Sequence, residues 1–343
     1  MRLNIFGFGA KDAAAQNGAV VPQDSENQES QIAGSSDLKV DSAIRKSAAR
    51  SAGGKTGKSK ASGKVALPPA TTDSLKKRVK WLLVRLESFR QRLEPALESG
   101  NREALAVAME EYFDFIHTYG DVVAYDAFEI GPAFSEYHEL FKRASLAYVH
   151  SQEDLAFAEI VEAALQPGQR LKDLMSDHVR GAYTQMEELT SLVNMNQFRS
   201  IVVLGCGKVP SGLFYLYDQT AIPAIVGVES SPQIAEDSNS LLRKFNLERV
   251  RVIQSDAATV DFSYFDAIYF GPFTAQRKEV MKRIRATARA NATVIVRDPI
   301  LTGSMAMEKV VPYMEPAFKL VKSGDPVKYR GPFMLRHFIL QAR

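Results

Sequence analysis

Two patterns of hydrophobic positions divide the chain of 343 residues. Between residues 73 and 196, apolar positions recur three or four residues apart, which is the period of one face of an amphipathic helix. The first helix shows this spacing at Leu75, Val79, Leu82, Leu86, Phe89 and Leu93. From residue 197 onward, short apolar runs alternate with amphipathic stretches, a pattern that predicts strands separated by helices.

Residues 73–196 predict an all-helical domain without strands. We expect the first helix to end at Pro95 or Gly100, because both residue types break or terminate helices. The third helix is expected to cover 135–150, and Ser151 is expected to cap a separate fourth helix. A fifth helix is predicted over about 170–194.

The apolar runs after residue 197 predict the parallel strands of an α/β domain that reaches residue 343. They cover 201–204, 225–228, 250–253, 267–270 and 293–296. Two further runs, which begin at Phe318 and Phe333, predict an antiparallel pair that closes one edge of the sheet.

Residues 1–72 predict a disordered tail, because they are rich in small and polar residues and have no sustained hydrophobic period. The run 45–64 is basic and contains no acid, so an RNA-binding protein is one alternative to an enzyme. The run has no aromatic residues interleaved for base stacking, and we therefore do not expect nucleic-acid binding.

Composition narrows the class of protein further. The net charge is only +3, and Cys206 is the single cysteine, so a disulfide within the chain and a cysteine-based zinc site are excluded. No metal site is predicted. No apolar run reaches the roughly 18 residues that span a bilayer. These features favour a cytoplasmic protein, and they leave a homodimer open.

A glycine-rich loop follows the first predicted strand directly, with Gly205, Gly207 and Gly212. Glycine lets a backbone turn tightly and approach a ligand closely, because it has no Cβ. The loop is not a full GxGxxG, which argues against a dinucleotide, and the sequence has no GxxxxGK[ST], which argues against a P-loop.

Acidic residues follow the second and third predicted strands. Glu229 ends the second and Asp256 follows the third, and ligands of open α/β sheets bind at the carboxyl ends of the strands. The Glu229 carboxylate can accept both hydroxyl hydrogens of a ribose, and the Asp256 carboxylate can accept from an adenine amino group. Because the glycine-rich loop has no phosphate cradle, the two acids and the loop together predict a site for S-adenosylmethionine.

This arrangement resembles class I S-adenosylmethionine-dependent transferases over about residues 198–343. The resemblance implies the Rossmann-like class I methyltransferase sheet, mostly parallel with an antiparallel C-terminal strand, preceded here by the all-helical domain. It also implies S-adenosylmethionine as the donor substrate. The loop lacks the leading acid of that class, because Val203 stands two residues before Gly205. The residues expected to contact the donor follow the strand ends, namely Gly205, Cys206, Gly207, Pro210, Glu229, Asp256, Ala257, Phe270 and Gly271.

Two motifs are similar to the nicotianamine synthase-like group, whose members transfer the 3-amino-3-carboxypropyl group of S-adenosylmethionine. One is the G-x-G-x-x-P loop at 205–210, and the other is the LTSL stretch at 189–192. The group has a carboxylate just after that stretch, where this chain has Val193. The resemblance therefore leaves open transfer to another amine, or cyclisation of the donor as in azetidine-2-carboxylate synthases. A small-molecule methyltransferase is a further alternative.

The sequence offers candidates for catalysis without deciding between them. Phe273 follows the fourth strand, where ligands bind, and an aromatic face there can stabilise a sulfonium. Tyr183 and His138 come from the helical domain, which is expected to lie as a lid over the strand ends. Further aromatic candidates are Tyr215 and Tyr269, and further lid candidates are Tyr119, Tyr125, Glu129 and Tyr137.

Overall fold

The computed structural model describes residues 73–166, 168–314, 317–324 and 334–343, which all belong to one compact unit, Leu67–Arg343. The predicted tail 1–72, with its basic run, lies outside the described residues. None of the described helices is both long and apolar enough to cross a membrane. The cytoplasmic location stays a prediction.

The first part of the described chain is helical, as predicted. Its helices are α1 Leu75–Ser99, α2 Arg102–Thr118, α3 Val122–Glu129, α4 Phe134–Glu162 and α5 Asp177–Leu192. Side chains cap the first two: Ser74 accepts from the Lys77 amide at 3.4 Å, and Asn101 accepts from the Ala104 amide at 3.0 Å. These contacts satisfy amides that a helix N-terminus leaves without intrahelical partners.

One helix boundary agrees with one of its two predicted positions, and another differs from the prediction. Helix α1 continues through Pro95 and ends at Gly100, which adopts the left-handed conformation with φ +64°. The predicted break at Ser151 is wrong, because α4 runs without interruption from 134 to 162. The Ser151 hydroxyl donates to the Tyr148 carbonyl at 2.8 Å, so it bonds within the helix instead of capping a new one.

The predicted sheet is confirmed. Its seven strands lie in the order β3-β2-β1-β4-β5-β7-β6, with β1 to β5 parallel and β7 antiparallel to both β5 and β6. The strands are β1 Ser200–Leu204, β2 Ala224–Glu229, β3 Val250–Gln254, β4 Ala267–Phe270, β5 Thr293–Pro299, β6 Phe318–Ser323 and β7 Leu335–Ala342. The helices between them are α6 Ser211–Gln219, α7 Pro232–Lys244 and α8 Arg277–Thr287. The strand order reverses beside β1, and ligands of such sheets bind at this switch point.

The helices α1 to α4 do not form a core by themselves. Residues 305–307 and Leu335, which come from the sheet half of the sequence, are buried in the same hydrophobic cluster as Phe89 and Tyr112. A second cluster joins α5 to the sheet through residues such as Tyr183 and Val203. The helical part is therefore packed against the strand ends, where the ligand was expected.

A buried ion pair fixes the loops that follow β4 and β5. The Arg277 guanidinium donates to Asp298 Oδ1 at 2.9 Å and to the Gly271 carbonyl at 2.6 Å, and both charged side chains are almost fully buried. Asp298 also accepts from the amides of Val310 and Val311 at 2.9–3.0 Å. Burial lowers the pKa of Arg277 and raises that of Asp298, and the Arg277 cation beside Asp298 opposes part of that rise.

We predict that Asp298→Asn lowers the free energy of unfolding by about 3–5 kcal/mol, because it leaves the Arg277 charge buried without its counterion. Urea unfolding measures this change. The matched control is Glu236→Gln, which removes the exposed pair with Arg243 and should change stability by less than about 1 kcal/mol. Equal effects of the two variants would contradict the role of the buried pair.

Candidate functional site

The loop after β1 turns at two glycines that both have left-handed backbone conformations. Gly205 has φ +66° and Gly207 has φ +74°, a region that side chains with a Cβ rarely adopt. A Cβ at Gly205 would also lie 3.2 Å from the Thr274 hydroxyl, which itself donates to the Leu204 carbonyl at 3.0 Å. The sequence therefore places glycine where the β1 and β4 loops approach each other closely.

A cavity of about 220 Å³ lies beside this loop at the ends of β2 and β3. The predicted acids Glu229 and Asp256 both line it, together with Ala257, Gly205 and Gly207. Glu229 accepts from the amides of Ser230 at 2.9 Å, Ser231 at 3.2 Å and Gly207 at 3.4 Å. These amides orient the Glu229 carboxylate at the cavity. Asp256 also accepts from the Ala258 amide at 2.9 Å and so begins a short 3-10 helix.

A second cavity of about 180 Å³ extends from the same loop beneath α4 and α5. Its lining is largely apolar and includes Met186, Val203 and Val209. It also contains Gln185, Tyr269 and Arg297. The two cavities share the residues Val149, Glu153, Gly205 and Phe273.

Glu153 is the carboxylate at the border of the two cavities. It is partly buried on α4, and its Oε2 accepts from the Lys208 amide in the glycine loop at 3.3 Å. Burial raises the pKa of Glu153 to about 7, and the neighbouring Glu229 charge adds to this, while the Lys208 amide opposes it. The group can therefore take up and release a proton near neutral pH, as a general base must.

Gly207 and Glu153 fit together because position 207 has no side chain. A Cβ built on Gly207 would overlap the Glu153 carboxylate. The residues that directly follow Gly207 and Glu153 add a second contact, because Lys208 Nζ bonds to Asp154 Oδ1 at 2.6 Å. The contact joins helix α4 to the glycine loop.

The structure brings together most, but not all, of the predicted contact residues. Gly205, Gly207, Glu229, Asp256 and Ala257 line the first cavity, and Gly205, Cys206, Gly271 and Phe273 line the second. Pro210 and Phe270 line neither. Pro210 is buried directly before α6, and Phe270 is buried with the Arg277 guanidinium 4.7 Å from its ring centroid.

Two of the catalytic candidates line neither cavity. The Tyr183 hydroxyl donates at 3.0 Å to Oδ2 of Asp218, a residue of α6. His138 Nδ1 bonds to the carbonyls of Ser304 and Met305 at 3.0 and 3.1 Å, so its ring holds the helices to the segment after β5. Of the aromatic candidates, Phe273 and Tyr269 line a cavity, and Tyr215 does not.

The predicted lid residues also lie away from the cavities. Tyr125 bonds to Ser304 at 2.7 Å, Tyr137 to Glu87 at 2.9 Å, and Glu129 to Lys309 at 2.7 Å, while the Tyr119 ring stacks on Trp81. The helical residues that do line the cavities belong to α4 and α5, namely Leu146, Tyr148, Val149, His150, Gln152, Glu153, Val179, Ala182, Gln185 and Met186.

Glu153 is the residue that sequence reasoning missed. Leu146, Val149, His150 and Glu153 are spaced as i, i+3, i+4 and i+7, which places them on one face of a helix. That face could have been recognised only if α4 had been predicted as continuous through Ser151. Val193, at the place of the expected carboxylate, packs against the core.

Cys206 lies between the two glycines and lines the second cavity as a free thiol. Burial raises its pKa well above the usual value, so the thiol stays protonated at neutral pH. The described residues contain no group of three His, Cys, Asp or Glu side chains that could hold a metal ion.

No protein-family model and no curated protein sequence matches this chain. Solved structures of the nicotianamine synthase MtNAS are similar to it. A glutamate-to-glutamine variant of MtNAS in complex with S-adenosylmethionine has a TM-score of 0.63 at 15% identity, covering 76% of this chain and 98% of MtNAS. MtNAS in complex with MTA and tNA has a TM-score of 0.65 at 15% identity with the same coverage. The predicted resemblance to nicotianamine synthases is thus confirmed for the fold.

We predict that Gly207→Ala lowers the free energy of unfolding by about 1–3 kcal/mol, because alanine is strained at this φ and its Cβ displaces Glu153. Gly181→Ala, in the interior of α5 with no atom within 4 Å of the new Cβ, is the control. It should leave stability unchanged or raise it by about 0.5–1 kcal/mol. Thermal and urea unfolding of both variants measure the difference, and a Gly207→Ala protein as stable as the wild type would refute the contact.

Proposed function

We propose that the protein is an S-adenosylmethionine-dependent transferase that moves the 3-amino-3-carboxypropyl group to the amine of a small molecule. The observation that carries this proposal is the position of Glu153, a carboxylate with a pKa of about 7 that lines both of two neighbouring cavities. One cavity has the acids suited to an adenosine, and the other extends beyond them beneath the helices.

The adenosine part of the donor fits the first cavity. The Glu229 carboxylate is oriented by three backbone amides, and it can accept from the two hydroxyls of a ribose. Charge-assisted hydrogen bonds of this type contribute about 1.5–3 kcal/mol each. Asp256, on the same cavity, can accept from the adenine amino group.

The sulfonium of the donor would lie near the residues that both cavities share. Phe273 offers an aromatic face there, and an aromatic ring stabilises a cation by about 0.5–2 kcal/mol. Glu153 is on the same border and adds a negative charge when it is ionised. The positive φ glycines let the backbone approach this point closely.

The reaction is a displacement at the carbon next to the sulfonium. The amine nitrogen forms a bond to Cγ of the aminocarboxypropyl group, the C–S bond breaks, and methylthioadenosine leaves with the electron pair. Glu153 accepts the proton that the amine loses, which keeps the charges balanced. The helices α4 and α5 exclude water from this border and hold the reacting groups in place.

The similarity of the helical part to MtNAS supports this transfer over methyl transfer. The likeness to MtNAS covers 76% of the chain, so it includes the helices as well as the sheet. Those helices create the second cavity and carry Glu153. A methyltransferase of the same fold would present the methyl group, and not Cγ, to the acceptor. In a cyclisation, the amine of the donor's own aminocarboxypropyl group would be the nucleophile, and no acceptor molecule would be used.

The by-product distinguishes these reactions. We expect incubation with S-adenosylmethionine and a mixture of amines to release methylthioadenosine, detected by chromatography and mass spectrometry. Release of S-adenosylhomocysteine would instead establish a methyltransferase and refute the proposed transfer. Azetidine-2-carboxylate formed without any added amine would indicate cyclisation.

We predict that Glu153→Gln reduces kcat/KM by roughly 100-fold or more, as expected for the loss of a general base. In the wild type, kcat/KM should rise as pH increases through about 7, because the carboxylate must be ionised to accept a proton. This rise should vanish in the variant. The control is Asp126→Asn, an exposed acid that lines neither cavity. A variant that keeps both the rate and the pH profile would exclude Glu153 as the base.

A further inference from the structure

Lys208 is a charged residue of the glycine loop whose side chain the proposed chemistry does not use. Its ammonium bonds to Asp154 Oδ1 on α4 at 2.6 Å and to Asp237 Oδ2 on α7 at 3.3 Å. An ammonium has three N–H donors, so it can bond to two carboxylates at once. The exposed fractions of the three side chains are 16–34%, so solvent screens these pairs less than it screens pairs on an open surface. The Lys208 side chain therefore links two helices across the loop.

The two helices that Lys208 links both line the first cavity. His150 lines it from α4, and Ile234 lines it from α7. Asp154 is four residues after His150, and Asp237 is three residues after Ile234. Each acid thus lies one helical turn beyond a residue of the cavity, on the same side of its helix. The Lys208 bridge joins the two helices beside the cavity.

A second contact between these helices lies farther from the cavity. Lys244 Nζ on α7 donates to the Val161 carbonyl on α4 at 2.6 Å. Lys244 and Val161 follow Asp237 and Asp154 by seven residues each, which is about two helical turns. The helices therefore lie side by side, with the Lys208 bridge at the end that borders the cavity.

The ammonium holds together two acids that would otherwise repel each other. Asp154 and Asp237 both lie within 3.3 Å of the same nitrogen, and like charges so close are unfavourable without a cation between them. Arg102 also pairs with Asp154, at 3.1 Å, but its side chain is 68% exposed and this pair contributes little. We therefore expect loss of the Lys208 charge to move α4 away from α7.

We propose that Lys208 is a positioning residue for the transfer, whose ammonium holds α4 against α7 and so keeps the first cavity closed around the donor and Glu153 against the glycine loop. Lys208 lines neither cavity, so it acts through the two helices. Its backbone amide donates to Glu153 Oε2 at 3.3 Å, so the backbone and the side chain of residue 208 both hold α4. This inference rests on the proposed function, and it names the residue that aligns the donor with the base.

The titration of Glu153 distinguishes positioning from a simple effect of charge. Burial is the main cause of its raised pKa, so movement of α4 away from the loop in Lys208→Met should lower the pKa from about 7 to about 6 or less. A lysine that supplied only its charge would act in the opposite direction, because its removal would raise the pKa. Carbon-13 NMR of the ligand-free protein measures this pKa, and Glu153→Gln assigns the signal. The other titratable groups nearby are unchanged in the variant, namely His150, Asp154, Glu229 and Asp256.

Donor affinity tests the effect on the first cavity. By calorimetry, Lys208→Met should bind S-adenosylmethionine and methylthioadenosine at least about tenfold more weakly than the wild type, because both contain the adenosine. Lys208→Arg should retain most of the affinity, since it keeps the charge. Adding Asp237→Asn to Lys208→Met should restore part of it, because the substitution removes the repulsion between the two acids. This double variant also provides the comparison with the wild type if Lys208→Met does not fold.

Lys278→Met is the matched control. Lys278 Nζ bonds to Glu308 Oε1 at 2.6 Å and lies 5.0 Å from the centroid of the Tyr313 ring, much as Lys208 Nζ lies 5.5 Å from that of Phe157. Lys278 lines neither cavity. Its substitution should leave the affinities and the pKa of Glu153 unchanged.

The inference is overturned if Lys208→Met leaves the affinities or the pKa of Glu153 as in the wild type, if that pKa rises, or if the double variant binds more weakly than Lys208→Met. These quantities do not depend on which group is transferred, so release of S-adenosylhomocysteine would refute the proposed transfer alone. A wild-type protein that binds neither nucleoside would overturn both proposals.

Discussion

The contact between Gly207 and Glu153 is the constraint on which the site depends. Residue 207 has a left-handed backbone, and the space that a Cβ would occupy holds a carboxylate from helix α4. The sign of φ favours glycine here, and the Glu153 carboxylate occupies the space that a side chain would need. The contact brings the helical part against the loop that follows β1. Both cavities therefore share Glu153 as a boundary.

The same contact determines the chemistry of Glu153. Burial between the helix and the loop opposes ionisation, whereas the Lys208 amide favours it, and the balance raises the pKa to about 7. Because the folded-state pKa is above the usual value of 4.5, ionisation of Glu153 destabilises the folded protein as pH rises from about 4.5 through 7. The site thus holds its carboxylate at some cost in stability. A cationic ligand at the border would reverse that cost.

The sheet and the adenosine side of the site could be predicted because their signals are local in the sequence. Each strand is a short apolar run, and Gly205, Glu229 and Asp256 directly follow such runs. The carboxyl ends of parallel strands meet at one edge, so strand order alone brings these residues together.

The helical side of the site could not be predicted in the same way. Amphipathic spacing identifies a helix and its buried face, but it does not say which neighbour covers that face. Glu153 follows Ser151, which resembles a helix cap in sequence and is in fact inside a helix of 29 residues. Tyr183 and His138 look like catalytic side chains, yet their partners, Asp218 and the Ser304 carbonyl, are distant in sequence.

Proton release on donor binding tests the central claim most directly. At pH 7 about half of the Glu153 side chains carry a proton, and a sulfonium at the cavity border should lower the pKa and displace it. Calorimetry of S-adenosylmethionine binding in buffers of different ionisation enthalpy counts these protons. We predict that the wild type releases up to about half a proton more per bound donor than Glu153→Gln does. Equal proton release by the two proteins would contradict a Glu153 that borders the bound donor.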